Sequence, residues 1–366
     1  MPSVTPAAGL IHLGMDTSIN AIVVGVLRPG EEMPVVERIF NDEASIRRLI
    51  GRFSDRRSLA ACYEAGPGGY ELCRLLSGMG VACDVVAPSL IPKGSGERVK
   101  SDRRDAIRLA RLHRAGELTA IRVPTPAEEA VRDLVRARGD LLDDRKRTQQ
   151  RLNALLLRHG RIWRGGARWT AAHRQWVGGQ VFTEAALARV LATYRGCLEA
   201  REAELAAIEA QLGPWASAEP LAAAVGRLGA YRGIAQLTGL TLAAEVVDWR
   251  RFASARAFMG FAGLVPTECS SGDRTRRGHI TKAGPQGVRA ALVEAAWAYQ
   301  HRPAIGAALK RRQAGACPQT LARSWKAQHR LHGTYRKMIG RGRPAGVAAV
   351  AVARELAGFV WAEMTS

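Results

Sequence analysis

The chain has 366 residues, 47% of them hydrophobic, and it carries a net charge of +21. This hydrophobic content excludes a basic disordered tail, and a large positive excess on a folded protein indicates a polyanionic partner, with nucleic acid as the first candidate. The six cysteines form no C-x-x-C pair, and no apolar run approaches the roughly 18 residues of a membrane span. We therefore expect a soluble, cytoplasmic protein without a disulfide frame or zinc site, with room for two or three domains.

The sequence of the N-terminal third predicts a mixed sheet with helices on its faces. Five apolar runs have the length and bounding turns of strands, at residues 11–15, 21–27, 35–40, 59–63 and 81–86. Apolar residues at helical spacing follow the third, fourth and fifth runs, the last of them from Arg103 to Arg114. The order βββαβαβα is typical of an α/β domain in which the first three strands form an antiparallel meander.

Four acidic residues stand at informative places in this order. Asp16 ends the first strand, Glu64 ends the fourth, and Asp102 and Asp105 share one face of the first turn of the last helix. If the first and fourth strands are neighbours, their ends meet and the helix brings its carboxylates over them. Four convergent carboxylates repel one another unless cations neutralise them, and two Mg²⁺ ions about 4 Å apart are the usual arrangement for phosphodiester chemistry.

Basic residues flank the two helical aspartates: Lys100, Arg103 and Arg104. They are candidate contacts to a nucleic-acid backbone. The alternative is an ordinary solvated helix start, in which the arginines are charge partners of the aspartates.

The middle of the chain predicts two long helices. Thr125-Pro126-Ala127-Glu128 has the pattern of a capping box that opens the first. The second, from Ala185 to Leu212, repeats apolar residues at alternating spacings of four and three, which indicates a coiled coil either within the chain or between protomers. Residues 160–179 contain three tryptophans among arginines, and they form either a packed loop or a surface that stacks on unpaired bases.

The C-terminal part begins with short helical pieces over residues 221–247, separated by glycines. They form a helical hairpin that either presents amides to a phosphate or is purely structural. Ser270-Ser271-Gly272 comes next, followed by candidate phosphate contacts: Arg274, Arg276, Arg277, His279, Lys282 and Arg289. A serine among cations suits attack on a phosphate, because the cations stabilise the added negative charge of the transition state. The same composition also suits a phosphate-binding loop without chemistry.

Positive charge is concentrated after this serine. From Gly272 to Pro344 there are 16 Lys and Arg against 2 Asp and Glu. Nucleic-acid binding through such a surface should weaken steeply with salt, because each phosphate contact releases counterions.

Two blocks of sequence carry a family resemblance. Gly14-Met15-Asp16, Tyr63-Glu64-Ala65-Gly66 and Lys100-Ser101-Asp102-Arg103-Arg104-Asp105-Ala106 resemble the DEDD transposases of the insertion sequence one-ten family, whose N-terminal half is similar to the RuvC resolvase and has a ribonuclease-H-like fold. The block from Phe261 to Gly284 resembles the C-terminal domain of the same family, whose nucleophilic serine lies five residues after a proline and just before a glycine. That position is Ser271, and its neighbour Ser270 is excluded only by experiment.

The resemblance covers roughly residues 10 to 362 and implies three domains. They are a RuvC-like DEDD domain at 10–120, a helical coiled-coil linker for multimerisation at 125–213, and a mostly α transposase domain with a helix-hairpin-helix-like segment at 214–362. Asp16, Glu64, Asp102 and Asp105 would bind Mg²⁺, and Ser271 would form a phosphoserine with DNA. Family members act as multimers, so the resemblance implies a homo-oligomer, a dimer or tetramer. It also implies a structured guide RNA that pairs with target and donor DNA, and an active site that can combine the two domains from different protomers.

Two other functions stay open from sequence. One is a RuvC-like metal-dependent junction endonuclease, in which the carboxylates activate water and Ser271 only binds phosphate. The other is a non-catalytic nucleic-acid-binding protein, for which replacement of Asp16 or Ser271 would have no effect.

Overall fold

Apolar strands of five to seven residues build the central sheet of the N-terminal part. They are β1 (Ile11–Thr17), β2 (Ala21–Leu27), β3 (Val35–Phe40), β4 (Leu59–Glu64) and β5 (Ala82–Val86). Their order in the sheet is β3-β2-β1-β4-β5. The first three pair antiparallel, whereas β4 and β5 run parallel to β1. The predicted mixed sheet and its meander are confirmed, and the first and fourth strands are neighbours.

The computed structural model describes residues 9–92, 101–268 and 277–366. It divides the chain into two compact units, Met1–Val123 and Pro124–Ser366. The division into three domains at the boundaries given above stays a prediction.

Helices cover both faces of the sheet of the first unit. On one face, Leu13 and Met15 of β1 lie in a core with residues of α1 (Glu43–Ile50) and α2 (Glu71–Gly78). The opposite face carries α3 (Asp102–Arg114). A sheet covered on both faces buries consecutive strand residues, which explains the near-continuous apolar runs in the sequence.

The contact between α3 and the sheet depends on two glycines. Gly14 in β1 and Gly25 in β2 lie opposite each other across the antiparallel pair. A Cβ atom on Gly14 would lie 2.5 Å from the Ala106 carbonyl oxygen, and one on Gly25 would lie 2.8 Å from the same atom. The backbone of α3 therefore rests directly on the strands, at a distance that only glycine permits.

Two helices of 33 residues dominate the start of the second unit, α4 (Pro126–Arg158) and α6 (Ala185–Ser217). The capping box at Thr125 is present as predicted, with Thr125 and Glu128 each accepting from the other's backbone N–H. The two helices pack against each other within the chain, and the Arg138 guanidinium lies 2.7 Å from a Glu209 carboxylate oxygen. In α6 the buried leucines recur every seven residues: Leu191, Leu198, Leu205 and Leu212. Supercoiling of this pair stays a prediction.

The segment between these helices is a packed aromatic cluster. It includes α5 (Ala171–Gly178), and three tryptophan rings surround the buried His173 at centroid distances of 5.4, 5.0 and 5.6 Å: Trp163, Trp169 and Trp176. This arrangement favours the packed-loop interpretation of the tryptophans over a stacking surface.

The rest of the second unit is mostly helical. Its elements are α7 (Ala222–Gly229), α8 (Gln236–Val246), α9 (Ala255–Phe261), β6 (Pro266–Glu268), β7 (Arg277–Ile280), α10 (Gln286–Ala296), α11 (Ala307–Gln313), α12 (Pro318–Gly340) and α13 (Ala345–Thr365). The turn between α7 and α8 buries Tyr231 and Ile234 completely, and a Cβ on Gly233 would overlap the α10 backbone at Ala295. This packing favours the structural interpretation of the helical hairpin.

The last helix, α13, closes the core of the second unit. It packs against α9, α10 and α12, and its buried Glu363 accepts a hydrogen bond of 2.6 Å from the Thr320 hydroxyl. Among the described residues α13 is the one helix long and apolar enough to cross a membrane by length and composition alone. Its packing accounts for that composition as a core helix of a folded domain.

The glycine contact under α3 generates a test. We expect Gly14→Ala to destabilise the packing of α3 by about 1–3 kcal/mol, because the new methyl group meets helix backbone that has no room to move. Backbone amides of α3 should then exchange with solvent roughly 5-fold to 150-fold faster, as measured by hydrogen exchange and mass spectrometry of the peptides that cover the helix.

The matched control is Gly78→Ala at the end of α2, where a Cβ meets nothing within 4 Å. Its α3 amides should exchange as in the wild type. Equal exchange in the two variants would show that α3 does not depend on the close approach.

Candidate catalytic site

Asp16 and Glu64 lie side by side at the ends of two parallel strands. The register pairs Met15 of β1 with Tyr63 of β4, so the next residue on each strand is an acid. Adjacent strands are about 4.8 Å apart. Side chains alternate between the two faces of a sheet, and Gly14 and Cys62, two residues earlier on each strand, both contact α3. By this alternation we expect the side chains of Asp16 and Glu64 to project on the face that α3 covers.

The direction of α3 brings its first turn toward these acids. At its C-terminal end the His113 Nδ1 atom lies 3.3 Å from Nδ1 of His12, near the start of β1. At its middle, Ala106 and Ala110 rest on Gly14. The helix thus runs antiparallel to β1, and its N-terminal turn extends to the end of the strand, where Asp16 lies. Asp102 and Asp105 are in that turn, as the sequence predicted.

Asp105 is only partly satisfied by its neighbours. The residue is 8% exposed, and its Oδ1 accepts a hydrogen bond of 2.7 Å from the Arg108 guanidinium one turn later. Its Oδ2 atom is buried and has no hydrogen-bond partner within the described residues. A buried carboxylate oxygen without a donor is a position where a cation or a water molecule would be stabilised.

These residues fit a divalent metal by their chemistry. Carboxylate oxygens are the preferred ligands of Mg²⁺, and the dipole of a helix N-terminus favours the charge of Asp102 and Asp105. Over residues 9–92, 101–268 and 277–366, however, no three His, Cys, Asp or Glu side chains are already gathered as metal ligands. Binding would require the side chains to rotate toward a common point.

A chain of polar groups holds the other end of α3 on the sheet. His113 joins His12 to Asp84 of β5, whose Oδ2 lies 3.2 Å from Nε2 of His113. Burial lowers the pKa of His12 to about 4, and the charges of His113 and Arg114 act in the same direction. His12 is therefore neutral in the folded state at all but acidic pH.

The predicted serine falls in the chain between two short strands that pair with each other. Residues 269–276, which include Ser271, lie outside the described residues, between β6 and β7 in the chain. The two strands pair antiparallel, with Pro266 opposite Ile280, and the Lys282 amide donates to the Gly263 carbonyl at 3.1 Å. The ends of the serine segment are thus fixed as the arms of a β-hairpin.

Arg289 has a role at this hairpin that its sequence context did not indicate. Its Nη1 group donates to the carbonyl oxygens of Lys282, Ala283 and Ala262 at 3.1, 3.3 and 3.4 Å. These carbonyls belong to both arms, so the guanidinium ties the base of the hairpin together. Its predicted contact with nucleic acid stays a prediction.

The other predicted nucleic-acid contacts are divided between the two units. His279 and Lys282 are exposed on and after β7, and Arg103 and Arg104 are exposed on α3. Only the backbone of Arg277 is described, and three residues lie outside the described ranges: Lys100, Arg274 and Arg276.

Sequence reasoning missed several residues that shape the site. Arg108 follows Asp105 by three positions, a spacing that signals an ion pair on a helix and could have been noticed. His12 and His113 are 101 residues apart, and nothing in the local pattern links them.

Comparisons with known proteins identify the family. A DEDD transposase model of the IS110 type matches residues 13–160, and a model of the transposase IS116/IS110/IS902 family matches residues 226–310. A Sinorhizobium fredii protein named as a transposase is 42% identical over 94% of this chain and 85% of its own. The transposase for insertion sequence element IS1533 of Leptospira borgpetersenii is 31% identical over 90% of this chain and 96% of its own.

These matches define the class of protein as a transposase. The chain belongs to the IS110 family of transposases, and the family resemblance seen in the sequence is confirmed. A DEDD transposase family implies DNA as a partner and a divalent metal as a cofactor.

The buried histidine under α3 generates a test. Because the pKa of His12 is about 4 in the folded state and about 6.5 in an unfolded chain, the unfolded state binds the extra proton between these values. Stability should therefore decline as pH falls from about 6.5 to about 4, by an amount on the order of 2–3 kcal/mol. In NMR spectra, the His12 ring signal should keep its neutral position down to about pH 5.

The His12→Gln variant lacks this ring signal and so identifies it. Its stability should decline less than that of the wild type as pH falls over this range. A His12 titration with its midpoint near 6.5 would contradict the burial of the ring.

Proposed function

We propose that this protein is a site-specific DNA recombinase that moves an insertion sequence by cutting and rejoining DNA through a phosphoserine at Ser271. The observation that carries the proposal is the arrangement of acids: Asp16 and Glu64 end neighbouring parallel strands, under the helix turn that holds Asp102 and Asp105. The strand order, with three antiparallel strands followed by two parallel ones, supports a ribonuclease-H-like, RuvC-like fold for residues 10–120.

The covalent step conserves the energy of the DNA backbone. The Oγ atom of Ser271 attacks a phosphorus atom, an Oγ–P bond forms, and the bond from phosphorus to one deoxyribose oxygen breaks. The serine proton passes to a base or to solvent, and the departing oxygen takes up a proton. Attack by a hydroxyl of another DNA end reverses the step and frees the serine. Cations that follow the serine in sequence, such as Arg274 and Arg276, would stabilise the added charge.

The four acids would bind Mg²⁺. By analogy with two-metal sites for phosphodiester chemistry, they would bind two ions. Bound metal would neutralise charge on the phosphate and on the oxygens that enter and leave. Asp105 contributes a buried oxygen without a donor, which supports its role as a ligand. Arg108 holds the other oxygen of Asp105 and neutralises it when no ion is bound.

Further partners follow from the family and from charge. The net charge of +21 suits DNA and also a structured guide RNA, which we include in the proposal. The α4–α6 pair, with its leucines seven residues apart, is a candidate coiled coil for a homodimer or tetramer. We also include in the proposal three domains, at residues 10–120, 125–213 and 214–362. The location that we propose is the bacterial cytoplasm, where the DNA lies.

Covalent trapping tests the chemistry. The protein, its associated nucleic acid and DNA with the element ends are incubated with Mg²⁺, denatured and resolved, and the linked peptide is mapped by mass spectrometry. We expect a DNA adduct on the peptide with Ser271, absent in Ser271→Ala, present in Ser270→Ala and strongly reduced in Asp16→Asn.

Cleaved DNA without an adduct, still formed by Ser271→Ala, would assign the reaction to a metal-dependent nuclease. Normal element mobility in Asp16→Asn and Ser271→Ala variants would indicate a protein that only binds nucleic acid.

Metal binding tests the acidic site separately. We expect Asp105→Asn to weaken Mn²⁺ binding at least tenfold in calorimetry, because it removes a charged ligand, about 1.4 kcal/mol or more. Arg108→Gln should strengthen binding several-fold, because it removes the cation that competes for Asp105.

Asp143→Asn, which changes an exposed acid of α4, is the control and should leave binding unchanged. Weaker Mn²⁺ binding in Arg108→Gln would contradict the competition between arginine and metal.

A further inference from the structure

The outer face of α12 combines an exposed tryptophan with cations that form no ion pair within the described residues. Between Glu294 and Glu355 the sequence contains twelve Lys and Arg and no Asp or Glu. Helix α12 lies in the middle of this stretch and outside the residues that the two family models match. It is also separate from the predicted site residues, so its surface has no role in the chemistry proposed above.

The inner face of α12 is fixed by the core of the second unit. The Ser324 hydroxyl donates to the Ala230 carbonyl at 2.7 Å, and the Gln328 side chain accepts from the Ala304 amide at 3.0 Å. Leu331 and Tyr335 are buried in the same core. These residues recur at spacings of three and four, so they define one face of the helix, and the opposite face is set toward solvent.

That opposite face carries two aromatic rings and three cations. Trp325 is 41% exposed, and its ring contacts that of His329 edge-on at a centroid distance of 4.7 Å. At 100° per residue, Trp325, His329 and the exposed cations lie within a sector of about 120°: Lys326, Arg336 and Lys337. None of these three cations forms an ion pair within the described residues, whereas Arg330 beside them is paired with Glu355 at 2.8 Å.

A glycine keeps the middle of this face open. Gly333 lies between the aromatic pair and the last two cations, and a Cβ placed on it would meet nothing within 4 Å. From Trp325 to Lys337 the helix rises about 18 Å. This is the length of about five stacked nucleotides at 3.4 Å each.

We propose that the outer face of α12 binds an unpaired stretch of nucleic acid, with a base stacked on Trp325 and phosphates on Lys326, Arg336 and Lys337. A tryptophan in a field of unpaired cations suits this ligand, because every base has a face to stack and every nucleotide a phosphate. In a duplex the base faces are already stacked on one another. A duplex would therefore contact the cations and leave Trp325 without a base to stack on. The inference rests on the proposed function in one respect, that the partner is nucleic acid.

Photocrosslinking on the full-length protein locates the ligand. Twelve-nucleotide strands with 5-iodouracil are irradiated with the protein, as DNA in one arm and as RNA in the other. We expect crosslinks to the peptide that contains Trp325 in at least one arm, and the stronger arm identifies the source of the strand. Crosslinks that avoid α12 in both arms would overturn the proposal.

Binding measurements on variants test the contacts. Trp325→Ala should weaken binding of the preferred strand roughly 5-fold to 150-fold, the range for loss of one stacked base. Trp325→Phe should restore part of it, and binding of a 12-base-pair duplex should not change. Combined Arg336→Gln and Lys337→Gln should reduce the salt slope of single-strand binding by about 1.4, for two contacts.

Trp215→Ala is the matched control, because Trp215 in α6 is also 41% exposed. It should bind like the wild type. Equal losses for duplex and single strand in Trp325→Ala would exclude stacking. Trp325-dependent binding to vesicles of phosphatidylglycerol, without binding to either strand, would assign the face to a membrane. The chemistry at Ser271 does not involve this surface, so the two proposals can fail separately. If no DNA adduct forms on Ser271 but the strands still crosslink to α12, the recombinase mechanism is rejected and the binding surface stands.

Discussion

The close approach of α3 to the sheet at Gly14 and Gly25 is the constraint on which the acidic site depends. A helix normally rests on the side chains of a sheet, but here the backbone of Ala106 lies where the Cβ atoms of Gly14 and Gly25 would be. This contact fixes how far α3 lies along β1. Because the helix runs antiparallel to the strand, its acidic first turn extends to the end of β1 that carries Asp16. The glycines thus determine which side chains can share a ligand, although they have no functional group.

Charge is arranged in opposite ways in the two parts of the molecule. In the first unit, Asp16 and Glu64 end neighbouring strands, and Arg108 bonds one oxygen of Asp105. In the second unit, residues 295–354 carry cations without any acid. A carboxylate cluster repels phosphate unless a metal ion intervenes, whereas exposed guanidinium and ammonium groups attract it directly. A metal site built from carboxylates and a surface that attracts phosphate therefore need different local charge, which a uniformly basic protein would not supply.

Sequence reasoning succeeded where the signal was local. Strand lengths, the meander and the capping box at Thr125 follow from patterns of a few residues, and the structure contains them. The placement of Asp16 beside Glu64 also depends on β4 lying next to β1. The sequence analysis could only assume that neighbourhood. The His12–His113 contact and the clamp by Arg289 depend on the register between distant elements. Hydrophobic periodicity reports which face of an element is buried and carries no information about its partner, so such contacts stayed out of reach.

The two faces of α12 show how binding and folding can be separated in one helix. Its inner face is committed to the core through Ser324, Gln328 and Leu331. On its outer face, Trp325 contacts the ring of His329, and Arg336 forms no ion pair within the described residues. Changes at either residue therefore leave those core contacts in place. Exposed substitutions of this kind usually alter stability by less than about 0.5 kcal/mol. The protein can therefore vary the nucleic acid that it prefers at this surface without moving the acids of α3 or the hairpin that Arg289 ties together.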